Sequence, residues 1–172
     1  MEFAESIKCL SFSKSSNILA LGMDGSLFLF SVPNRSMIVS KTYGSSIRSL
    51  SFSNHDERLA VALSDGTLSL LCPDDDWRSA GEIDYSDSPI ICQDWCTNTF
   101  AIGREDGSVA IFDLEKGLGE FFVPIAEFSA NSPVRSMAFG PGGRYLGKFL
   151  CCLKQIFPVL LFLTSKLDSF WR

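Results

Sequence analysis

The sequence predicts an all-β chain made of repeated four-stranded antiparallel units. Three observations carry that reading: an apolar opening that recurs every 40 to 44 residues, three Asp-Gly turns spaced 41 residues apart, and alternating β-prone runs on both sides of each turn. No stretch of residues 1–146 has sustained helical periodicity with caps.

The openings are Ile7-Lys8-Cys9-Leu10-Ser11-Phe12, Ile47-Arg48-Ser49-Leu50-Ser51-Phe52, Ile90-Ile91-Cys92-Gln93-Asp94-Trp95 and Val134-Arg135-Ser136-Met137-Ala138-Phe139. Each begins with a β-branched residue, has a small residue two places on and ends in an aromatic. After a polar turn come the second strands, Ile18–Gly22, Leu59–Ala62 and Phe100–Gly103. Tight turns at Asp24-Gly25, Asp65-Gly66 and Asp106-Gly107 then lead into Ser26–Phe30, Thr67–Leu71 and Ser108–Phe112. Asp-Gly between apolar runs signals a hairpin, because both residues tolerate the positive φ of a tight turn. A fourth strand closes each unit: Met37–Thr42, Ala80–Tyr85 and Phe122–Phe128.

Four-stranded units of this period mark propeller blades. The fold class is therefore a partial β-propeller, an open ring of four-stranded antiparallel blades followed by an apolar C-terminal tail. The blades span about 3–42, 43–85, 86–128 and an incomplete 129–146, within a repeat region of 1–146; residues 147–172 lie outside the repeat. About three and a half blades cannot close a ring, and open blade edges expose unpaired backbone groups that invite self-association.

Over residues 3–146 the chain resembles the WD-repeat β-propeller family. The resemblance rests on the Val/Ile-x-Ser/Cys-x-x-Phe/Trp openings, the Leu-Ala-x-Gly second strand, the Asp-Gly turns before a Ser or Thr, and Phe139-Gly140-Pro141-Gly142-Gly143-Arg144-Tyr145-Leu146, which looks like the family's Phe-Ser-Pro-Asp-Gly-x-x-Leu turn. The chain also departs from the pattern. The Trp-Asp dipeptide is replaced by Phe30-Ser31, Leu71-Cys72 and Phe112-Asp113, and the Gly-His dipeptide is missing; the one histidine, His55, lies in a turn. The buried Asp-His-Ser-Trp network that the resemblance implies therefore has no residues to build it.

The resemblance places the start of each first strand and the Asp-Gly turn on one rim. Lys8, Arg48 and Arg135 each follow an opening anchor. The local reading, which we favour, pairs Lys8 with Asp24 and Arg48 with Asp65, since rim charges are usually solvated or locally paired. The functional reading is a set of cations gripping an acidic partner segment, interrupted by Ile91 in the third unit. Arg104 and Glu105, on the third Asp-Gly loop, are further candidates for partner contact or plain surface. Asp74-Asp75-Asp76-Trp77 reads as a solvated loop with Trp77 folded back, since consecutive aspartates lack the spaced ligand order of a calcium loop.

Composition narrows the function classes. The chain is 46% hydrophobic and 20% charged, which excludes a disordered or collagen-like protein. Residues 1–146 carry 11 Lys and Arg against 19 Asp and Glu, a balance of −8, while 147–172 hold Lys148, Lys154, Lys166 and Arg172 against Asp168, a balance of +3. An acidic body argues against nucleic-acid binding, which needs a basic face. Cys92 and Cys96 have no second pair or nearby His to complete a zinc site. Neither hydrolase elbow, phosphate loop, dinucleotide fingerprint nor zinc-protease motif occurs, so no enzyme, metal or cofactor is expected. The start lacks a basic and apolar leader pattern, and the cysteines suit a reducing compartment; the expected location is cytoplasmic, with the nucleus as alternative.

The tail has three readings. Residues 149–163 form a 15-residue apolar stretch interrupted by Lys154 and Pro158, short for a membrane anchor, which needs about 20 residues. Alternatively Val159 to Leu163 supplies a substitute strand to the fourth blade. The reading preferred on sequence is that 147–172 is translated intron, because Gly147-Lys148 is encodable as GGTAAG, a splice-donor string. The expected function is a non-catalytic protein-interaction scaffold binding unidentified protein partners on its blade rims. The alternatives are a membrane-tethered adaptor and a truncated fragment of a larger propeller.

Overall fold

The computed structural model describes residues 6–85, 87–113, 123–129, 132–140, 146–150 and 159–162. Its first sheet is β1 (Cys9–Phe12), β2 (Ile18–Gly22), β3 (Ser26–Ser31) and β4 (Ser36–Thr42), paired in that order. The second is β5 (Ile47–Phe52), β6 (Leu59–Leu63), β7 (Thr67–Cys72) and β8 (Arg78–Asp84), with a 3-10 turn at Pro73–Asp75. The third is β9 (Ile90–Cys96), β10 (Thr99–Arg104), β11 (Ser108–Asp113) and β12 (Ala126–Ser129). All pairings are antiparallel.

The fourth sheet has three strands, β13 (Val134–Phe139), β14 (Leu146–Leu150) and β15 (Val159–Phe162). Its second and third strands come from the segment that begins at Leu146, with Gly147 opposite Phe162 and Leu150 opposite Val159. The strand reading of the tail is the arrangement seen. No helix among the described residues is long and apolar enough to cross a membrane.

The first strand of every sheet is innermost: β1 packs on β5, β5 on β9 and β9 on β13. β1 and β13 make no comparable contact, so the four blades form an open ring. The core lies between blades. Leu27 and Leu29 of blade 1 meet Leu50, Phe52, Leu59 and Val61 of blade 2. Leu68 and Leu70 of blade 2 meet Trp95, Phe100 and Phe112 of blade 3. Val109 and Ile111 of blade 3 meet Val134, Met137 and Leu146. Strand alternation explains this layering, since successive side chains point at opposite neighbours. Each such Leu or Phe, once covered, contributes roughly 1.5–3 kcal/mol.

Close approach of the blades depends on two glycines. A Cβ at Gly22 would sit 2.6 Å from Cys9 Sγ and 2.7 Å from Ile47 Cγ2; one at Gly103 would sit 2.7 Å from Cys92 Sγ and 2.8 Å from Val134 Cγ1. Gly22 is paired with Cys9, and Gly103 with Cys92. In blade 2 the corresponding pair is Ala62 and Ser49, a methyl gained where the sulfur is replaced by a smaller oxygen.

Candidate functional site

The three Asp-Gly turns and the start of the inner strands share one rim. Gly25, Gly66 and Gly107 have φ of 81°, 91° and 90°, the left-handed region where glycine carries no penalty. Their aspartates do not share that conformation. Asp65 and Asp106 serve instead as side-chain acceptors: Asp65 Oδ1 takes the Thr67 N–H at 2.9 Å, and Asp106 Oδ1 takes the Ser108 N–H at 2.8 Å and also its hydroxyl. The Gly25 and Gly66 carbonyls accept the N–H of Tyr43 and Tyr85, tying each turn to the end of the outer strand.

Serines before each inner strand complete the rim. Ser46 Oγ donates to Asp24 Oδ1 at 2.7 Å and Ser45 Oγ to Asp65 Oδ2 at 2.7 Å, while Ser88 Oγ accepts the Asp106 N–H at 3.0 Å. Lys8 Nζ lies 3.3 Å from Asp24 Oδ2. The Ser46 hydroxyl first, then Lys8, holds the Asp24 carboxyl below the usual range, and the charge of Arg48 adds to this. For Asp65 and Asp106 burial pushes upward, but hydrogen bonds from Thr67 and Ser45, and from Ser108, outweigh it and leave both lowered.

The Lys8–Asp24 contact is present, whereas the Arg48–Asp65 pair read from the sequence is replaced. Asp65 is occupied by Ser45 and Thr67, and Arg48 forms no ion pair with it, adding only a small long-range charge effect at Asp24 across the blade boundary. The backbone explains why. The β5–β6 register jumps between Ile47 and Ser49, and the β13–β14 register between Val134 and Ser136. Arg48 and Arg135 are thus the extra residues of two β-bulges, a device that re-aims a side chain away from the ladder. In blade 3 the same bulge leaves out Ile91. Both arginines are exposed.

Arg104 is set differently. Its guanidinium lies 4.4 Å from the Tyr85 ring centre, Nη2 is 4.0 Å from Glu127 Oε1, and only 13% of the side chain is exposed. Its Nε is buried without a partner among the described residues. Ser45, Ser46, Ser88, Tyr85 and Glu127 were not singled out from the sequence. The available signal was the serine at Ser6, Ser46, Ser88 and Ser132, one or two places before every opening anchor.

The opposite rim is held by cross-blade bonds. Asp56 accepts the N–H of Lys14 at 2.5 Å and of Ser15 at 2.8 Å; Trp95 Nε1 donates to Ser51 Oγ at 2.8 Å; and Asp94 Oδ2 accepts the Phe139 N–H at 2.7 Å. A polar cleft of about 190 Å³ there is lined by His55, Arg58, Trp95 and Asn98 among others. Trp77 is 5% exposed, its ring edge-on to Phe52 at 6.3 Å, so the Asp74–Asp76 run sits beside a buried anchor. Cys9 and Cys92 give their Sγ hydrogens toward the Ile47 and Val134 carbonyls of the next blade; burial pushes the thiols up to about 11 and about 12.

Stacked four-stranded blades around an open axis define a β-propeller array. Comparison with known proteins agrees: residues 36–70 match the WD domain, G-beta repeat family. A chain in the crystal structure of the mitotic checkpoint complex has a TM-score of 0.74 at 14% identity, covering 95% of this chain and 52% of that one. The computationally designed Ika4 protein has a TM-score of 0.76 at 16% identity, with 95% and 93% covered. The chain thus spans about half the length of the checkpoint-complex chain it resembles. These likenesses establish the propeller fold, and residues 36–70 resemble a WD repeat within it. No curated protein matches the sequence.

Proposed function

We propose that this chain is an interaction scaffold whose turn rim grips an acidic segment of a partner protein. The observation that carries the reading is the pair of bulge arginines: Arg48 and Arg135 are aimed off their ladders, are exposed, and form no ion pair among the described residues. Lys8, shared with Asp24, and Arg104, clamped between Tyr85 and Glu127, flank them and shape the rim. An acidic peptide laid across the inner-strand starts would meet guanidinium groups able to hold carboxylates bidentately. The four described free thiols suit a reducing compartment such as the cytoplasm.

An array of acidic and basic 12-residue peptides, probed with the wild-type chain and with the Arg48→Glu/Arg135→Glu double variant, tests this. We expect acidic peptides to be retained by the wild type, released by salt, and weakened at least about tenfold in the variant. Equal retention by both chains, or a preference for basic peptides, would overturn it.

A further inference from the structure

On the rim away from the Asp-Gly turns, blades 1 and 2 carry the same loop. Phe12 pairs with Leu19 and Phe52 with Leu59, which leaves residues 13–18 and 53–58 between them. The N–H of Ser13 donates to the Ile18 carbonyl and that of Ser53 to the Arg58 carbonyl, both at 2.9 Å. The two serine hydroxyls accept the N–H groups of Ile18 and Arg58 at 3.0 and 3.1 Å. Ser16 and Asp56 stand at the same place with φ of 60° and 59°. In blade 1 this loop already holds an anion: the N–H groups of Lys14 and Ser15 take the two carboxylate oxygens of Asp56, from the loop of blade 2.

In blade 2 the equivalent N–H groups belong to Asn54 and His55, and neither finds an acceptor among the described residues. Blade 3 supplies no acid to them. Trp95 pairs with Phe100, so its loop is residues 96–99, two shorter, and reads Cys-Thr-Asn-Thr. Here lies the cleft of about 190 Å³, lined by His55 and Arg58 from one blade and by Trp95, Thr97 and Asn98 from the other. Arg58 is itself a departure from the repeat, because the same position in blade 1 is Ile18, packed on the apolar core. Its Nη1 rests 3.6 Å from Cys72 Sγ, and it forms no ion pair among the described residues.

We propose that this cleft binds an aspartyl or glutamyl carboxylate of a partner protein, seated on the Asn54 and His55 N–H groups as Asp56 is seated on Lys14 and Ser15. Arg58 supplies the opposite charge, and charge-assisted bonds of both kinds are the strong ones. The Ser53 bonds fix the loop, so little ordering is lost on binding. Glu57 also lines the cleft and is exposed; its charge disfavours a phosphate dianion more than a single carboxylate. A bare carboxylate leaves part of the volume to water, whereas the peptide groups beside an aspartate would meet the polar side chains of Thr97 and Asn98.

Titration of the isotope-labelled chain, followed by the amide NMR signals of Asn54 and His55, tests the site with N-acetyl-aspartate methylamide as probe. Saturable shifts of both amides are expected, with weaker binding of acetate and inorganic phosphate and none of N-acetyl-asparagine methylamide. Arg58→Gln should weaken the probe at least about tenfold. Thr97→Asp should remove binding by placing a carboxylate in the cleft; Thr97 has φ of 49°, which aspartate tolerates better than a β-branched residue, so the variant should fold. The site uses none of the cations of the turn rim, and the Arg48→Glu/Arg135→Glu variant should therefore show the same two shifts. Unmoved amides, equal binding of the asparagine compound, acetate or phosphate, or undiminished binding in Arg58→Gln or Thr97→Asp would overturn the proposal.

Discussion

Blades 1 and 2 carry nearly the same inner strand, Ile-Lys-Cys-Leu-Ser-Phe against Ile-Arg-Ser-Leu-Ser-Phe, yet their apolar side chains live in opposite environments. Leu50 and Phe52 are sealed against blade 1, while Leu10 and Phe12 are more than half exposed. In a repeat array burial is a property of the junction between neighbours and not of the residue. The same comparison separates Gly22 and Gly103, which must be glycine beside a cysteine, from Ala62, which stands beside Ser49.

The sharpest way to break this comparison is to truncate the matched leucines at low chain concentration. Leu50→Ala should cost about 2–5 kcal/mol, the range for buried leucines, whereas Leu10→Ala should cost under about 1 kcal/mol. Urea midpoints with an unchanged m-value give both numbers, and similar losses would show that a neighbour already covers blade 1. Next in size, Gly22→Ala and Gly103→Ala should each destabilise by about 1–3 kcal/mol through overpacking. Adding Cys9→Ser to Gly22→Ala reproduces the blade 2 pairing and should restore a good part of the loss; a double variant no better than the single one would refute the pairing.

A smaller effect is expected in acid. Asp24, Asp65 and Asp106 all have lowered folded-state values, so their stabilisation is complete above the unfolded value of about 3.9 and disappears as pH falls through the folded values. Melting temperatures should hold steady from pH 7 to about pH 5 and fall below about pH 4. The triple Asp→Asn variant should show a shallower fall, and an unaltered profile would count against the turn network. With no stability change at all, Cys9 and Cys92 should resist iodoacetamide at pH 8 in the folded chain and react on unfolding, as peptide mass mapping would show. Rapid labelling of either thiol in the folded chain would mean that the blade junctions are open.

Much of this architecture was readable in the residues. The Asp-Gly turns and the alternating runs around them place β2, β3, β6, β7, β10 and β11 to within a residue or two, because a hairpin is a local object whose signals sit within about ten residues. The role of the aspartates was less legible. They act as acceptors for Ser45, Ser46, Thr67 and Ser108, and glycine alone adopts the positive φ. That Arg48 would not pair with Asp65 was hidden because its direction depends on a bulge, and a one-residue slip re-aims a side chain without any mark in composition. The cross-blade bonds of Ser51, Asp56 and Asp94 span 41 to 45 residues, a separation that only the folded ring brings together. The strand at Val159–Phe162 lacks turn punctuation and alternation, so periodicity could name it only as one of several outcomes.

The account rests most heavily on blades being locked in register, the aromatic of one inner strand against the fifth residue of its predecessor. A double-mutant cycle on Trp95→Phe and Ser51→Ala measures that junction directly, since the packing that each change loses by itself cancels in the cycle and the coupling left reports the 2.8 Å bond from Nε1 to Oγ. Unfolding free energies should yield a coupling of about 0.5–1.5 kcal/mol. Additive losses, with no coupling between two residues 44 positions apart, would contradict the register on which the blades and the rim both depend.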